Sequence, residues 1–228
     1  MIERGIIMKL LLRALCAYLA GLLLVGGLLF LPAGTLFWGN AWLFCALLFV
    51  PMLILGAVLY IKAPELLEKR LNAREKQTDQ KKVVAGSGLL FFAAFVSAGL
   101  DFRFGLTAVP DWLVTAASVI LLLSYAMYAE VMRENAYLSR TVEVQEGQKV
   151  VDTGLYGVIR HPMYAATVFL FLSIPLILGS WIAFVIFLGY PAAIVVRIRN
   201  EEEVLRVGLD GYETYTKRVR WRLIPFVW

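Results

Sequence analysis

Four uninterrupted apolar runs, at 14–31, 41–61, 83–100 and 112–129, decide what this chain can fold into. At about 1.5 Å of helical rise per residue, each can cross a hydrocarbon layer about 30 Å thick. In lipid every backbone N–H and C=O must be paired within its own segment, so such runs form helices. Two shorter runs, 163–178 and 181–196, are parted only by Gly179 and Ser180 and read as a tight helical hairpin. The expected fold is all-α: a polytopic membrane helix bundle of about six segments, closed by a C-terminal helical hairpin. A composition of 61% apolar and 17% charged side chains suits a bilayer and is too apolar for a soluble domain of this size.

Charge placement orients the bundle. Of the 22 Lys and Arg residues, 21 fall in 1–13, 62–82, 133–160 and 197–222, and only Arg103 falls elsewhere. Basic loops stay on the cytosolic side, which predicts cytosolic N- and C-termini. The net charge of +5 is then explained by anionic membrane lipids, and no nucleic-acid partner is needed. Lys9 and Arg13 before the first run resemble a signal peptide, but its length and the spans that follow predict a retained helix. Cys16 and Cys45 lie in expected spans, so they are read as packing residues. Neither a disulfide framework nor a metal site is expected.

Residues 1–132 read as a four-helix transmembrane scaffold with a cytosolic loop at 62–82. In that loop Pro64, Leu66, Leu67 and Leu71 suggest an amphipathic surface helix, with a solvated charged loop as the other possibility. Residues 133–228 read as a cofactor-binding region, because most groups capable of chemistry lie there. The tract TVEVQEGQKVVDTGLYGV, with its β-branched residues and glycines, reads as looped or extended backbone suited to cradle a ligand.

His161, the single histidine, lies in Arg160-His161-Pro162-Met163-Tyr164, where the inner loop meets the hairpin. Proline keeps the preceding residue out of helix and suits the first helical turn, so the imidazole is expected at a helix N-terminus, beside free N–H groups that favour an anion. A membrane helix with Arg160 and His161 reaching to the interface would give the same pattern. Beyond the hairpin, helical spacing sets Arg197 and Glu201 on one face. The guanidinium could grip a carboxylate and the glutamate an ammonium group, or the two could form a surface ion pair. The tail DGYETYTKRVRWRLIPFVW mixes basic and aromatic residues as a membrane-interface anchor does, and could also cover a cytosolic site.

In order, TGLYGVIRHPMY, a short apolar hairpin, RIRNEEEVL and GYETYTKRVRWRLIP resemble the C-terminal half of the isoprenylcysteine carboxyl methyltransferase and phospholipid methyltransferase superfamily. The likeness spans roughly 135–228. It implies a cytosolic pocket for S-adenosyl-L-methionine, formed by the last spans and the tail, and a lipophilic small-molecule or lipid-modified acceptor arriving from the bilayer. It assigns cofactor contacts to Gln145, Gln148, Lys149, Val150, Val151, Tyr156, His161, Pro162, Met163, Tyr164 and Glu201. It makes Arg197 the acceptor-binding residue, with Arg197, Glu201 and Glu202 carrying catalysis: Arg197 on the acceptor, the glutamates on the cofactor's cationic end. Two departures stand out. A histidine common before the Leu/Val pair is Gln148 here, and Phe-Gly-x-x-Tyr is replaced by LDGYETY. Competing readings are an NADPH-dependent membrane reductase of the steroid-reductase kind and a non-catalytic membrane scaffold. The acceptor and the oligomeric state are left open by the sequence.

Overall fold

The computed structural model describes residues 2–71, 78–138 and 144–228, with backbone alone for 2–7 and 78–82. Helix α1 (Ile2–Ala33) is followed by α2 (Gly39–Lys62), α3 (Pro64–Leu71), α4 (Thr78–Phe104) and α5 (Asp111–Glu134). After a 3-10 turn at Gly154–Gly157 come α6 (Pro162–Leu178), α7 (Trp181–Phe187), α8 (Gly189–Gly208) and α9 (Tyr212–Arg218). No strand occurs among the described residues, and the all-α reading stands.

Five helical stretches are long and apolar enough to cross a membrane: Met8–Ala33, Gly39–Lys62, Val83–Phe104, Asp111–Glu134 and Trp181–Gly208. Their outward faces carry Leu23, Leu31, Ile61, Leu89 and Leu123, all exposed, as lipid-facing helices require. Helix α6 is shorter, yet it runs the depth of the bundle. At its far end Ser180 Oγ donates to Asp101 at the end of α4, and the Trp181 indole donates to the Ala108 carbonyl between α4 and α5. Gly179 lies against Asn40 of α2 there, with a positive φ of 84° that closes α6 and turns the chain. The near end of α6 meets the C-terminal end of α5 and the tail. The hairpin therefore reaches from one end of the bundle to the other.

Beyond the expected end at 196, the second arm of the hairpin stays helical. A break at Leu188 separates α7 from α8, and α8 continues through the charged segment to Gly208. Arg and Glu propensities and tertiary contacts keep this segment helical after it leaves the apolar layer. Packing is led by aromatic side chains: Phe91 of α4 meets Phe171 of α6 and Phe187 of α7 edge-on, with ring centroids 4.6 and 5.1 Å apart. Helices α1 and α4 approach so closely at Gly99 that a Cβ there would stand 2.6 Å from the Leu29 carbonyl oxygen. Cys45 packs beside this core, but Cys16 is exposed, which corrects its reading as a packing residue.

Helix α3 forms as the loop's leucine pattern suggests. Leu66 is buried against Val131, Met132, Leu138 and Tyr156, at the site end of the bundle. Residues 72–77 of the 62–82 loop, and 141–143 of the expected cradle, lie outside the described residues.

Candidate active site

A polar cleft opens at the end of the bundle where α5, α6, α8 and α9 meet. Its lining includes Gln148, Lys149, Val150, Val151, Tyr156, His161, Met163, Tyr164 and Glu201, all named from the sequence. It also includes Asn135, Tyr137 and Leu138 beyond α5, and Val204 and Leu205 of α8, which sequence reasoning missed. The α8 pair was accessible in principle, since 201, 204 and 205 share one helical face.

The looped wall is built by polar side chains that replace regular backbone pairing. Gln145 accepts from Lys69 Nζ of α3 at 2.9 Å and donates to the Tyr137 carbonyl at 2.6 Å, while Gln148 Oε1 accepts from the Gln145 N–H. Asn135 Nδ2 donates to the Tyr156 hydroxyl, and Tyr215 donates to the Tyr156 carbonyl at 2.8 Å, tying α9 to the 3-10 turn. Burial pushes the Tyr156 phenol up to about 12, so it stays protonated.

The other wall rests on a charge cluster. Arg160 and His161 are buried, and their backbone N–H groups donate to the carbonyls of Trp221 and Arg222, each at 2.9 Å. Glu202, only 3% exposed, receives Arg160 Nε at 2.8 Å and lies 3.2 Å from His161 Nε2 through one oxygen. Its other oxygen receives Arg222 at 3.0 and 2.9 Å. Arg160 also donates to the carbonyls of Val219 and Arg220. The tail is thereby fastened over the start of α6.

Glu201, one residue earlier, points elsewhere, because successive helical residues diverge by about 100°. It lines the cleft and accepts from the Tyr164 hydroxyl, which accepts in turn from Arg197 Nε at 2.9 Å. The Arg197 guanidinium lies 5.9 Å from the Tyr164 ring centroid, one turn of α8 deeper in the bundle than Glu201. Tyr164 belongs both to the cleft lining and to the apolar core with Tyr190, Ile194 and Ile198.

Some expected site residues therefore have other places. Glu202 does not join Glu201 in the cleft: both its oxygens are occupied by cations, and it braces the tail. Gln145 holds the loop together and Pro162 is a buried first residue of α6, so neither is part of the lining. Arg197 sits behind Tyr164, on the apolar side. His161 stands at the start of α6, as the sequence suggested, and is a buried member of the Glu202 cluster as well as a cleft residue.

On α9, Tyr212 lines the cleft and is 4% exposed. Among the described residues its hydroxyl is the buried side-chain polar atom left without a hydrogen-bond partner. Burial, and then the neighbouring Glu202 and Glu201 charges, raise its pKa, so it too stays neutral. Among the described residues no group of His, Cys, Asp or Glu could hold a metal ion.

Fold and site together define a polytopic membrane protein with a polar cleft at one end of its helices, bordered by the apolar core. Residues 112–207 match the model of the isoprenylcysteine carboxyl methyltransferase (ICMT) family, which bears out the resemblance seen in the sequence over the shared stretch 135–207. The chain is 30% identical over 91 residues to the Delta(14)-sterol reductase of Mus musculus, covering 39% of this chain and 22% of that protein. Over 97 residues it is 30% identical to the uncharacterized protein YpbQ of Bacillus subtilis, covering 42% of this chain and 58% of that protein. The chain thus spans less than two thirds of the length of either relative.

Proposed function

We propose that this protein is an integral membrane S-adenosyl-L-methionine-dependent methyltransferase that acts on a lipophilic or membrane-associated acceptor, a carboxylate such as that of an isoprenylcysteine being favoured. The observation that carries the reading is the run Arg197, Tyr164, Glu201, which leads from the apolar core into the polar cleft. A cation at the lipid side and an anion at the water side suit an acceptor anion and a cofactor cation that meet between them. The residue types fit such a cofactor: Glu201 for an ammonium group, Lys149 and the α6 start for anionic or polar oxygens, and tyrosines and valines for a flat nucleoside. Lys69 and Gln145 would support this wall from behind, and Glu202 would keep the tail in place.

When bound, the cofactor supplies an electrophilic methyl group on a sulfonium, which a carboxylate can accept without giving up a proton. The chain's work is then to position and to exclude water. Arg197 orients the acceptor and Tyr164 keeps that guanidinium in register with Glu201. The enclosed part of the cleft, about 100 Å³, is smaller than a nucleoside-sized ligand needs. Binding therefore entails outward movement of the irregular 144–151 wall or of α9, and closure over the ligand would dry the site. On this reading both termini face the cytosol of a bacterial inner membrane, and 1–132 acts as scaffold for 133–228.

The likeness to a sterol reductase favours a second reading, an NADPH-dependent membrane reductase. Thermal stabilisation of the purified protein separates the two, since a ligand that prefers the native state must raise the melting temperature. Stabilisation by S-adenosylhomocysteine is expected; stabilisation by NADPH alone would replace the methyltransferase reading. Labelled methyl transfer into membrane extracts would then identify the acceptor fraction.

A further inference from the structure

We propose that the Tyr212 hydroxyl is a binding group for the amino-acid end of the sulfonium cofactor, an inference that rests on the methyltransferase reading. An unpaired buried hydroxyl weakens a fold that phenylalanine would pack equally well. Three residues on, Tyr215 spends its hydroxyl on the Tyr156 carbonyl at 2.8 Å and so has a structural purpose; Tyr212 shares the same packing cluster and has none. What Tyr212 faces is the cleft.

The surroundings select which part of the ligand it meets. The charges acting on the Tyr212 phenol belong to Glu202, Glu201 and Arg160, so the hydroxyl sits where groups of both signs converge. Arg160 and Glu202 are engaged with each other and with the tail; Arg160 and Glu201 both border the cleft. A neutral hydroxyl, able both to donate and to accept, complements a zwitterionic α-amino acid set against Glu201. The nucleoside would lie toward the apolar lining of Val150, Val151 and Leu205.

The test crosses two variants with two ligands, S-adenosylhomocysteine and 5′-methylthioadenosine, which keeps the nucleoside and thioether but lacks the amino-acid portion. Tyr212→Phe should melt, ligand-free, no lower than the parent, and should bind S-adenosylhomocysteine about tenfold more weakly, as loss of a hydrogen bond to a charged group implies. Its affinity for 5′-methylthioadenosine should equal the parent's. Tyr215→Phe should instead lower the ligand-free melting temperature. Unchanged S-adenosylhomocysteine affinity, an equal loss for both ligands, or a melting drop matching that of Tyr215→Phe would each overturn the assignment. A parent protein that binds NADPH and not S-adenosylhomocysteine would sink the methyltransferase reading itself, and this inference with it.

Discussion

Arg197 reaches Glu201 through one hydroxyl: its Nε donates to Tyr164 at 2.9 Å, and Tyr164 donates to the Glu201 carboxylate. The two charged groups therefore belong to one chain of hydrogen bonds, with Glu201 in the cleft and Arg197 one turn of α8 deeper. Arg197→Lys keeps the charge but loses the planar fork. Turnover should fall by about 10²-fold while S-adenosylhomocysteine affinity stays close to the parent's. Glu201→Gln should do the reverse, weakening the ligand first by about 1.5–3 kcal/mol. An active variant with the two charges exchanged would reduce the arrangement to a surface ion pair.

Glu202, though adjacent, should behave as a brace. Glu202→Gln leaves Arg160, His161 and Arg222 around a buried neutral amide, and breaking such a cluster typically costs about 3–5 kcal/mol. Chemical or thermal unfolding in detergent measures this. Glu201→Gln serves as the control and should lose far less stability. Equal melting of the parent and Glu202→Gln would show that the tail is fastened by its backbone pairing alone.

The spans were legible because lipid leaves the backbone no choice but helix, and the length of a run then states the crossing. The far end of α8 was less legible, since RIRNEEEVL carries only Ile198, Val204 and Leu205 among charged residues and owes its course to the helix preceding it. Helical phase explains the site's partial legibility. Adjacent glutamates look alike in sequence, but their divergence on α8 sends Glu201 to the cleft and Glu202 to the tail. Likewise Tyr212 and Tyr215 differ only in what surrounds each hydroxyl, which depends on the 3-10 turn at Gly154–Gly157 folding beneath α9. Lys69 could not be linked to Gln145 by any local pattern, since 76 residues separate them.

The charge asymmetry and the placement of the chain's turns make a topology prediction. In a Cys16→Ser, Cys45→Ser background, Phe37→Cys, at a position 94% exposed, and Leu106→Cys should react with an impermeant thiol reagent applied to intact cells. Glu213→Cys on α9 should react only after permeabilisation. Labelling of Glu213→Cys from outside would invert the bundle and put the cleft on the wrong side for a cytosolic cofactor.

At the other end of the bundle Asp101 is 1% exposed, and it holds three elements together without lying near the cleft. Its carboxylate accepts from the Thr107 N–H at 2.7 Å, from the Thr107 hydroxyl, and from the hydroxyl of Ser180. The Ser180 oxygen is also the N-cap of α7, accepting from the Ala183 N–H at 3.1 Å, and Thr107 Oγ1 accepts from the Trp181 N–H. One carboxylate thus fixes the α4–α5 loop and the turn of the hairpin at once. Asp101→Ala would strand several donors in a dry site, each costing about 1–3 kcal/mol. Asp101→Asn would keep the shape but offers one acceptor oxygen in place of two. The expected order of melting temperature is parent, then Asp101→Asn, then Asp101→Ala. Ser180→Ala should fall between the first and the last, because it removes both the cap and one bond to Asp101. Cofactor affinity per folded molecule should be unchanged throughout, since this anchor sets the depth of α6 and touches nothing in the cleft. A selective loss of S-adenosylhomocysteine affinity in Asp101→Asn, with the melting temperature intact, would mean that the two ends of the hairpin are coupled and that Asp101 is more than an anchor.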